Sequence, residues 1–355
     1  MFIFGKNYTK KEILEKIGDI SQIGGMKNYE YADGVSKGIR AIDMDNGNGL
    51  EITVLLDRCL DIGKAAYKGA SLIWKSAIRE THPSYYDKEH LEWMKTFFGG
   101  LLVTCGLTYF GNPCNDNDEQ LGLHGRISNT PAHEIISEGL WKGDDYWIYI
   151  KGKVREANIN GYKLEMERKI SMKIGDNKIY IEDRIENFGY KTSPLMTLYH
   201  LNFGFPLIDA GTVLELFEHK TVMYLDDAVN YKENYTVFFE PSDCFNWRVY
   251  LHDLAADSEG NCTALIANNS FRNNRGLGLY LKYNKGNLPY LNEWVMMSKG
   301  DYVVGIEPCN APGRGRNIER KEKYLRFIEP GQIIINKIEV GILENNNEIS
   351  AFINK

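Results

Sequence analysis

The middle of the chain holds three consecutive runs, "YWIYIKGKVREA" (146–157), "YKLEMERKISMKI" (162–174) and "KIYIEDRIENFG" (178–189), parted only by the turns "NING" and "GDN". Each alternates. In the second run Leu164, Met166, Arg168, Ile170 and Met172 share one face, while Glu165, Glu167, Lys169 and Lys173 share the other. That period of two is expected of a sheet with one wet side. Later runs such as "TVLELFEHKTVMYL", "CTALIANNS", "GLGLYLKYN" and "QIIINKIEVGIL" have the same character. Strands cluster here instead of alternating with helices, so an all-β, large antiparallel β-sandwich is expected and a βαβ fold is not.

Helix signals are few. "TKKEILEKIGD" carries a capping box from Thr9 to Glu12, with Ile13, Leu14 and Ile17 on one face. "YYDKEHLEWMKTFFGG" predicts a second helix, with Leu91, Met94 and Phe98 on one side and Gly99 as its stop. No linker or repeat divides the 355 residues, so one domain is expected over 1–355, with 1–40 an N-terminal helix/strand extension.

With 42 basic against 48 acidic residues, the chain has no basic excess to neutralise nucleic acid. No apolar run reaches the ~20 residues of a membrane span, and the start does not read as a signal peptide. A cytoplasmic protein is expected, its six cysteines (59, 105, 114, 244, 262, 309) scattered as free thiols without a CxxC pair.

The chemistry is narrowed by elimination. Cys105, Cys114, His124 and His133 match no compact zinc spacing, so no metal site is expected. "DMDNGNG" (43–49) predicts a hairpin turn and not a calcium loop, and "NDNDEQ" (115–120) a solvated loop. There is no GxSxG elbow and no phosphate loop. "APGRGRNIERK" (311–321) offers Arg314, Arg316 and Arg320 either as a surface loop or as a grip for an anionic ligand group. Acid–base chemistry remains. His124 in "LHGR" precedes a turn glycine, His200 lies in the apolar run "PLMTLYHLNFGFPL", and Glu307 ends the run "YVVGIE". Each has a bland alternative as a satisfied core residue. Strand ends are nonetheless the rigid positions from which an acid and a base must be presented.

These residues also carry a resemblance. "LGLHGRISN" and "YHLNFGF" are similar to the two histidine motifs of the aldose 1-epimerases, the galactose mutarotase-like proteins. "GIEPCNAP" resembles the strand bearing their glutamate, and "LRFIEPGQIIINKIEVGI" their closing strand. The pattern runs from about residue 40 to 343, with "LLDRCLDIG" and "GGLLVTCGL" pointing to an uncharacterised epimerase-like subgroup.

The resemblance implies a galactose mutarotase-like supersandwich and anomer interconversion of a monosaccharide or sugar derivative, free or acid-substituted. His200 would protonate the ring oxygen, Glu307 would take the anomeric proton, and His124 would bind the sugar. Such proton transfers need no cofactor. Proximity of the pair is expected to raise the histidine pKa and keep the glutamate ionised. The subgroup lacks the family's sugar-gripping arginine at "GGLLVTCGLTYFGNP", and Tyr199 replaces the Asn before the second histidine. Arg58 or Arg126 is expected to substitute, a purely structural role being the alternative. Asp61, Asn202 and Asn310 are the further candidates for reading hydroxyls, and Trp74 for stacking on the ring. A monomer or homodimer is expected. Two rival functions are a sugar-sensing module without turnover and a metal-dependent sugar isomerase ligated by His124, His200 and Glu307.

Overall fold

The computed structural model describes residues 1–233 and 235–354. The three alternating runs form the strands Asp145–Ala157, Lys163–Lys173 and Lys178–Asn187. They pair antiparallel, so that Ile150 faces Ile170 and Ile170 faces Ile181. His133–Lys142 is added at one edge. Ile333–Leu343, Leu277–Asn284, Asn261–Asn268 and Val213–Leu216 follow at the other, completing an eight-stranded sheet.

The alternation predicted for 163–173 is observed residue by residue. Leu164, Met166, Arg168, Ile170 and Met172 are all buried, and their neighbours are half-exposed. Arg168 is the one charge on that buried face. Its guanidinium is held 2.8 Å from Asp61 and 2.6 Å from Asp183, all three side chains being closed to solvent. Tyr199 donates its hydroxyl to Asp183 and Asn336 donates to Tyr199, so the charges are satisfied within a buried network.

A second, six-stranded antiparallel sheet has the spatial order His219–Asp226, Arg248–Leu254, Tyr290–Met297, Tyr302–Cys309, Leu198–Gly204, Val103–Cys105. Every residue of Leu198–Gly204 is buried. A five-stranded sheet runs from Gly25–Glu30 to Ala70–Ser71. One hydrophobic cluster joins Met1, Ile3 and Ile13 to Ile170, Leu201, Val304 and Ile342, so the N-terminal segment packs into the same core as the large sheets.

The first helix forms at Lys10–Leu14 with both halves of its capping box. The Asn-Gly turn joins strands Arg40–Asp45 and Leu50–Leu55. The second predicted helix does not form. Residues 83–98 hold only two 3₁₀ pieces, Pro83–Tyr85 and Glu92–Thr96, parted by His90 in the left-handed region at φ 41°. The apolar period there serves a cavity wall instead: Leu91, Met94 and Phe97 all face it.

The "NDNDEQ" loop is also different from expectation, being a small hairpin of Cys114–Asp116 and Glu119–Leu121. Asp116 is buried and accepts from Arg316 at 2.6 Å and Arg320 at 2.7 Å. The basic "RGRNIER" stretch is therefore neither a loose loop nor a free anion grip. It forms the helix Arg316–Lys321, and Arg314 pairs with Glu319 and Glu322. Among the described residues all six cysteines are free, four of them buried. Among the described residues no helix is long and apolar enough to cross a membrane.

Candidate active site

Adjacent strands of the six-stranded sheet carry the site. Along Leu198–Gly204 and Tyr302–Cys309 the ladder pairs Leu201 with Ile306 and Asn202 with Gly305, which brings His200 level with Glu307. One strand further, Asn292 is opposite Glu307. His200, Glu307 and Asn292 thus lie side by side on one face, because side chains alternate across a strand and these three share a parity.

His200 Nε2 is 3.1 Å from Glu307 Oε1, both side chains nearly closed to solvent. The approach is close but poorly aligned, and Glu307 Oε1, His200 Nδ1 and Asn292 Oδ1 are all left without hydrogen-bond partners. Buried polar atoms without partners are rare and costly. Here the residues that carry them line a cavity.

The third group arrives on a loop. His124 has φ 55°, a left-handed conformation that non-glycine residues adopt rarely. It is pinned there by its amide donating to Gly111 O (3.0 Å) and its carbonyl accepting from Gly106 N (3.3 Å). Gly125 follows at φ 74°, where a Cβ would come within 2.5 Å of Tyr109 O and 2.7 Å of Gly106 O. The "HG" pair is thus fixed by close backbone approach, and strain of this kind concentrates at functional sites. The His124 ring packs edge-on to His200 at 5.9 Å between centroids and against Trp93 at 4.7 Å.

His124, His200, Asn292 and Glu307 share a cavity of about 470 Å³ whose walls include Trp74, Phe97 and Trp294. Its size falls within the roughly 300–1,000 Å³ usual for small-molecule sites. Among the described residues no three His, Cys, Asp or Glu side chains converge as a metal-binding group.

Burial sets the proton balance, and against expectation. Desolvation lowers His200 well below 6.5, with His124 adding to the effect and Asn202 opposing it. Desolvation raises Glu307 well above 4.5, with Asn292 pulling it back. His124 is lowered to about 4 by burial. Proximity was expected to favour an ion pair; the dry site instead favours a neutral imidazole beside a protonated carboxyl.

Of the other candidates, Trp74 lines the cavity. Arg58 does not. It is buried elsewhere, donating to the carbonyls of Ser128 (2.6 Å), Thr81 (2.6 Å) and Thr96 (3.0 Å), with its guanidinium over Phe98. Asp61 is spent on Thr104 and Arg168. Asn310 clamps the backbone, accepting from Thr197 N and donating to Leu195 O. Asn202 donates to the carbonyls of His200 and Gly100, beneath the site. Arg126 is exposed and is not part of the cavity wall. Sequence reasoning missed Asn292, Trp294 and Phe97. The parity of "YLNEWVMM" marks Asn292 and Trp294 as sharing a face, but nothing local says that this face meets Glu307.

A model of the family described as "Domain of unknown function (DUF4432)" matches residues 36–342. This chain belongs to that family. No curated protein matches the DUF4432 chain by sequence. Solved structures resemble it strongly in fold. A candidate aldose 1-epimerase from Klebsiella pneumoniae superposes with a TM-score of 0.84 at 21% identity, over 96% of this chain and 91% of that one. A galactose mutarotase-like protein from Clostridium acetobutylicum gives 0.60 at 13% identity, over 91% and 99%. The galactose 1-epimerase of Lactobacillus acidophilus gives 0.57 at 12%, over 90% and 99%. The DUF4432 chain has the galactose mutarotase-like sandwich fold.

Proposed function

We propose that this DUF4432 protein is an aldose 1-epimerase-like enzyme, interconverting the anomers of a cyclic sugar through His200 and Glu307. The observation that carries the reading is the 3.1 Å approach of His200 Nε2 to Glu307 Oε1 on the floor of an aromatic-walled cavity. An acid and a base that close can address the ring oxygen and the anomeric hydroxyl of one sugar, which are bonded to the same carbon.

In the forward step Glu307 takes the proton from the anomeric hydroxyl. The electrons of that O–H bond form the carbonyl, the C1–O5 bond breaks, and O5 takes a proton from His200. Rotation about C1–C2 and reclosure by the reverse transfers give the other anomer. The pair must hold one proton in total. Both the ion pair and the neutral arrangement satisfy that count, and they differ only in which partner acts first as acid. A sugar hydroxyl donated to the unpaired Glu307 Oε1 stabilises the carboxylate and favours Glu307 as base. His124 packs against His200 and is placed to bind the sugar.

Anomer exchange measured by saturation-transfer NMR tests the reading. Wild type is expected to accelerate exchange of at least one sugar. Glu307→Gln and His200→Gln should each lose about 10²–10⁴-fold of that acceleration while still binding it. Binding without acceleration by wild type would assign the protein to the sensing class instead.

A further inference from the structure

The cavity carries no positive charge. Among the described residues no lysine or arginine lines it. On flanking segments Arg79 and Arg126 are exposed and outside its wall, and the other nearby cations are engaged elsewhere. Arg314, Arg316 and Arg320 are held by Glu319, Glu322, Asp116 and Glu119. Arg248 lies over the rings of Tyr231 and Phe245. The charged or ionisable groups that do face the cavity are Glu307, Asp226 and Asp301, with the two histidines whose protonation burial resists. A phosphate or carboxylate entering this space would shed its hydration against carboxyl groups with nothing to repay the loss.

The distribution of polar atoms is equally selective. Among the polar side chains lining it, which also include Ser76, Asn112, Asp226 and Asp301, His124, His200, Asn292 and Glu307 cluster together, and two of these serve the ring oxygen and the anomeric hydroxyl. The substituent on C5 of a pyranose is bonded next to the ring oxygen, so it projects beside His200. The rings packed around His200 there are Phe97 at 5.0 Å and Trp294 at 5.4 Å between centroids, with His124 at 5.9 Å. Leu198 adds an aliphatic surface on the same strand. A methyl group packs against such a wall. A hydroxymethyl would bring a hydroxyl to the faces of Phe97 and Trp294, which cannot pair with it.

Building on the epimerase reading of the same site, we infer that the substrate is an uncharged, hydroxyl-poor sugar, a 6-deoxyhexose, and that phosphorylated and acidic sugars are excluded. The apolar wall selects the methyl and the missing cation rejects the anion. A cation-free, aromatic-walled pocket of this kind obtains its affinity from C–H faces on Trp74 and Trp294 more than from a dense set of hydrogen bonds.

Matched pairs provide the test: D-fucose against D-galactose, D-quinovose against D-glucose, and L-rhamnose against L-mannose, with glucose 6-phosphate and glucuronate as anions. Dissociation constants are measured on Glu307→Gln by ligand-observed NMR, and anomer exchange is followed separately on wild type. The inference expects one 6-deoxy sugar to bind about 10- to 100-fold more tightly than its parent, and both anions to bind more weakly than glucose. Equal or tighter binding of every parent hexose overturns it, as does tight binding of either anion or failure of all the sugars to bind. Because the series reads binding, it stands or falls whether or not wild type turns anomers over. Deoxy preference without exchange would remove the epimerase reading and leave the ligand class in place.

Discussion

Gly305 and Glu307 occupy the same face of one strand, and the hydrogen of Gly305 is what leaves room for the carboxylate. A Cβ at 305 would press into Glu307 Oε1 and come within 3.3 Å of His200 Cε1. The acid–base pair is therefore close because the residue beneath it has no side chain. Gly305→Ala should displace Glu307 while leaving both strands paired, since alanine is tolerated in a strand better than glycine. The expected outcome is at least ~10²-fold slower anomer exchange, in keeping with misplacement of about an ångström. The melting temperature should change far less than for a core cavity mutant. Unchanged exchange would mean that the 3.1 Å approach is not needed for turnover.

The pH profile follows from the same pair. The working state holds one proton between His200 and Glu307. It is lost when a second proton binds, which the lowered pKa of His200 delays to well below 6.5. It is also lost when the last proton leaves, which the raised pKa of Glu307 delays to well above 4.5. The rate should therefore show a plateau bounded by an acid limb well below the ordinary histidine range and a basic limb well above the ordinary glutamate range. An acid limb centred at 6.5 would show that His200 titrates as a solvated imidazole and that the site is wetter than its burial implies.

Much of this architecture is legible in the sequence, for reasons that differ by element. The central strands announce themselves because one face is wet, so Leu164 to Met172 alternate visibly. His200 and Glu307 are recognisable as strand residues, and the resemblance supplies their pairing, which only the ladder between two strands a hundred residues apart can create. The stretch 83–98 misleads because residues lining a cavity wall mimic the apolar period of a helix, and only the left-handed His90 separates the cases. Arg58, Arg316 and Arg320 mislead for a different reason. An arginine looks the same in sequence whether its partner is a ligand, a backbone carbonyl, as for Arg58, or a carboxylate two hundred residues away, as Asp116 is from Arg316.

Arg58 makes that distinction measurable. Its three donated hydrogen bonds all end on carbonyls of separate loop segments, at Ser128, Thr81 and Thr96. Arg58→Met would leave those carbonyls buried and unpartnered, at a cost of at least ~2 kcal/mol. Urea unfolding should report the loss as a lower midpoint. If the folded fraction is compared at equal concentration, the KM for a sugar should be unchanged, because Arg58 is outside the cavity. A raised KM with unaltered stability would reinstate Arg58 as a sugar contact.

A second histidine–glutamate pair gives a stability prediction in which the signs can be worked out. His252 Nε2 is 3.0 Å from Glu293 Oε2 with both side chains fully buried, and Thr221 Oγ1 lies 3.0 Å from His252 Nδ1. Desolvation lowers His252 to about 3 and raises Glu293 well above 4.5, so the folded pair keeps one proton, on the carboxyl. Just above 4.5 the unfolded chain also holds one, on the histidine, and there this pair adds no slope to stability. Below 4.5 the unfolded pair binds two protons and the folded pair one, so stability falls as pH drops. Replacing both groups, His252→Leu with Glu293→Leu, removes the desolvated polar atoms and should flatten the acid limb of the unfolding free energy measured against pH. The flattening should be read relative to wild type, because His200, Glu307 and His124 contribute limbs that the double variant retains. An unchanged difference between variant and wild type at pH 3.5 and 5 would show that the His252–Glu293 pair titrates alike folded and unfolded.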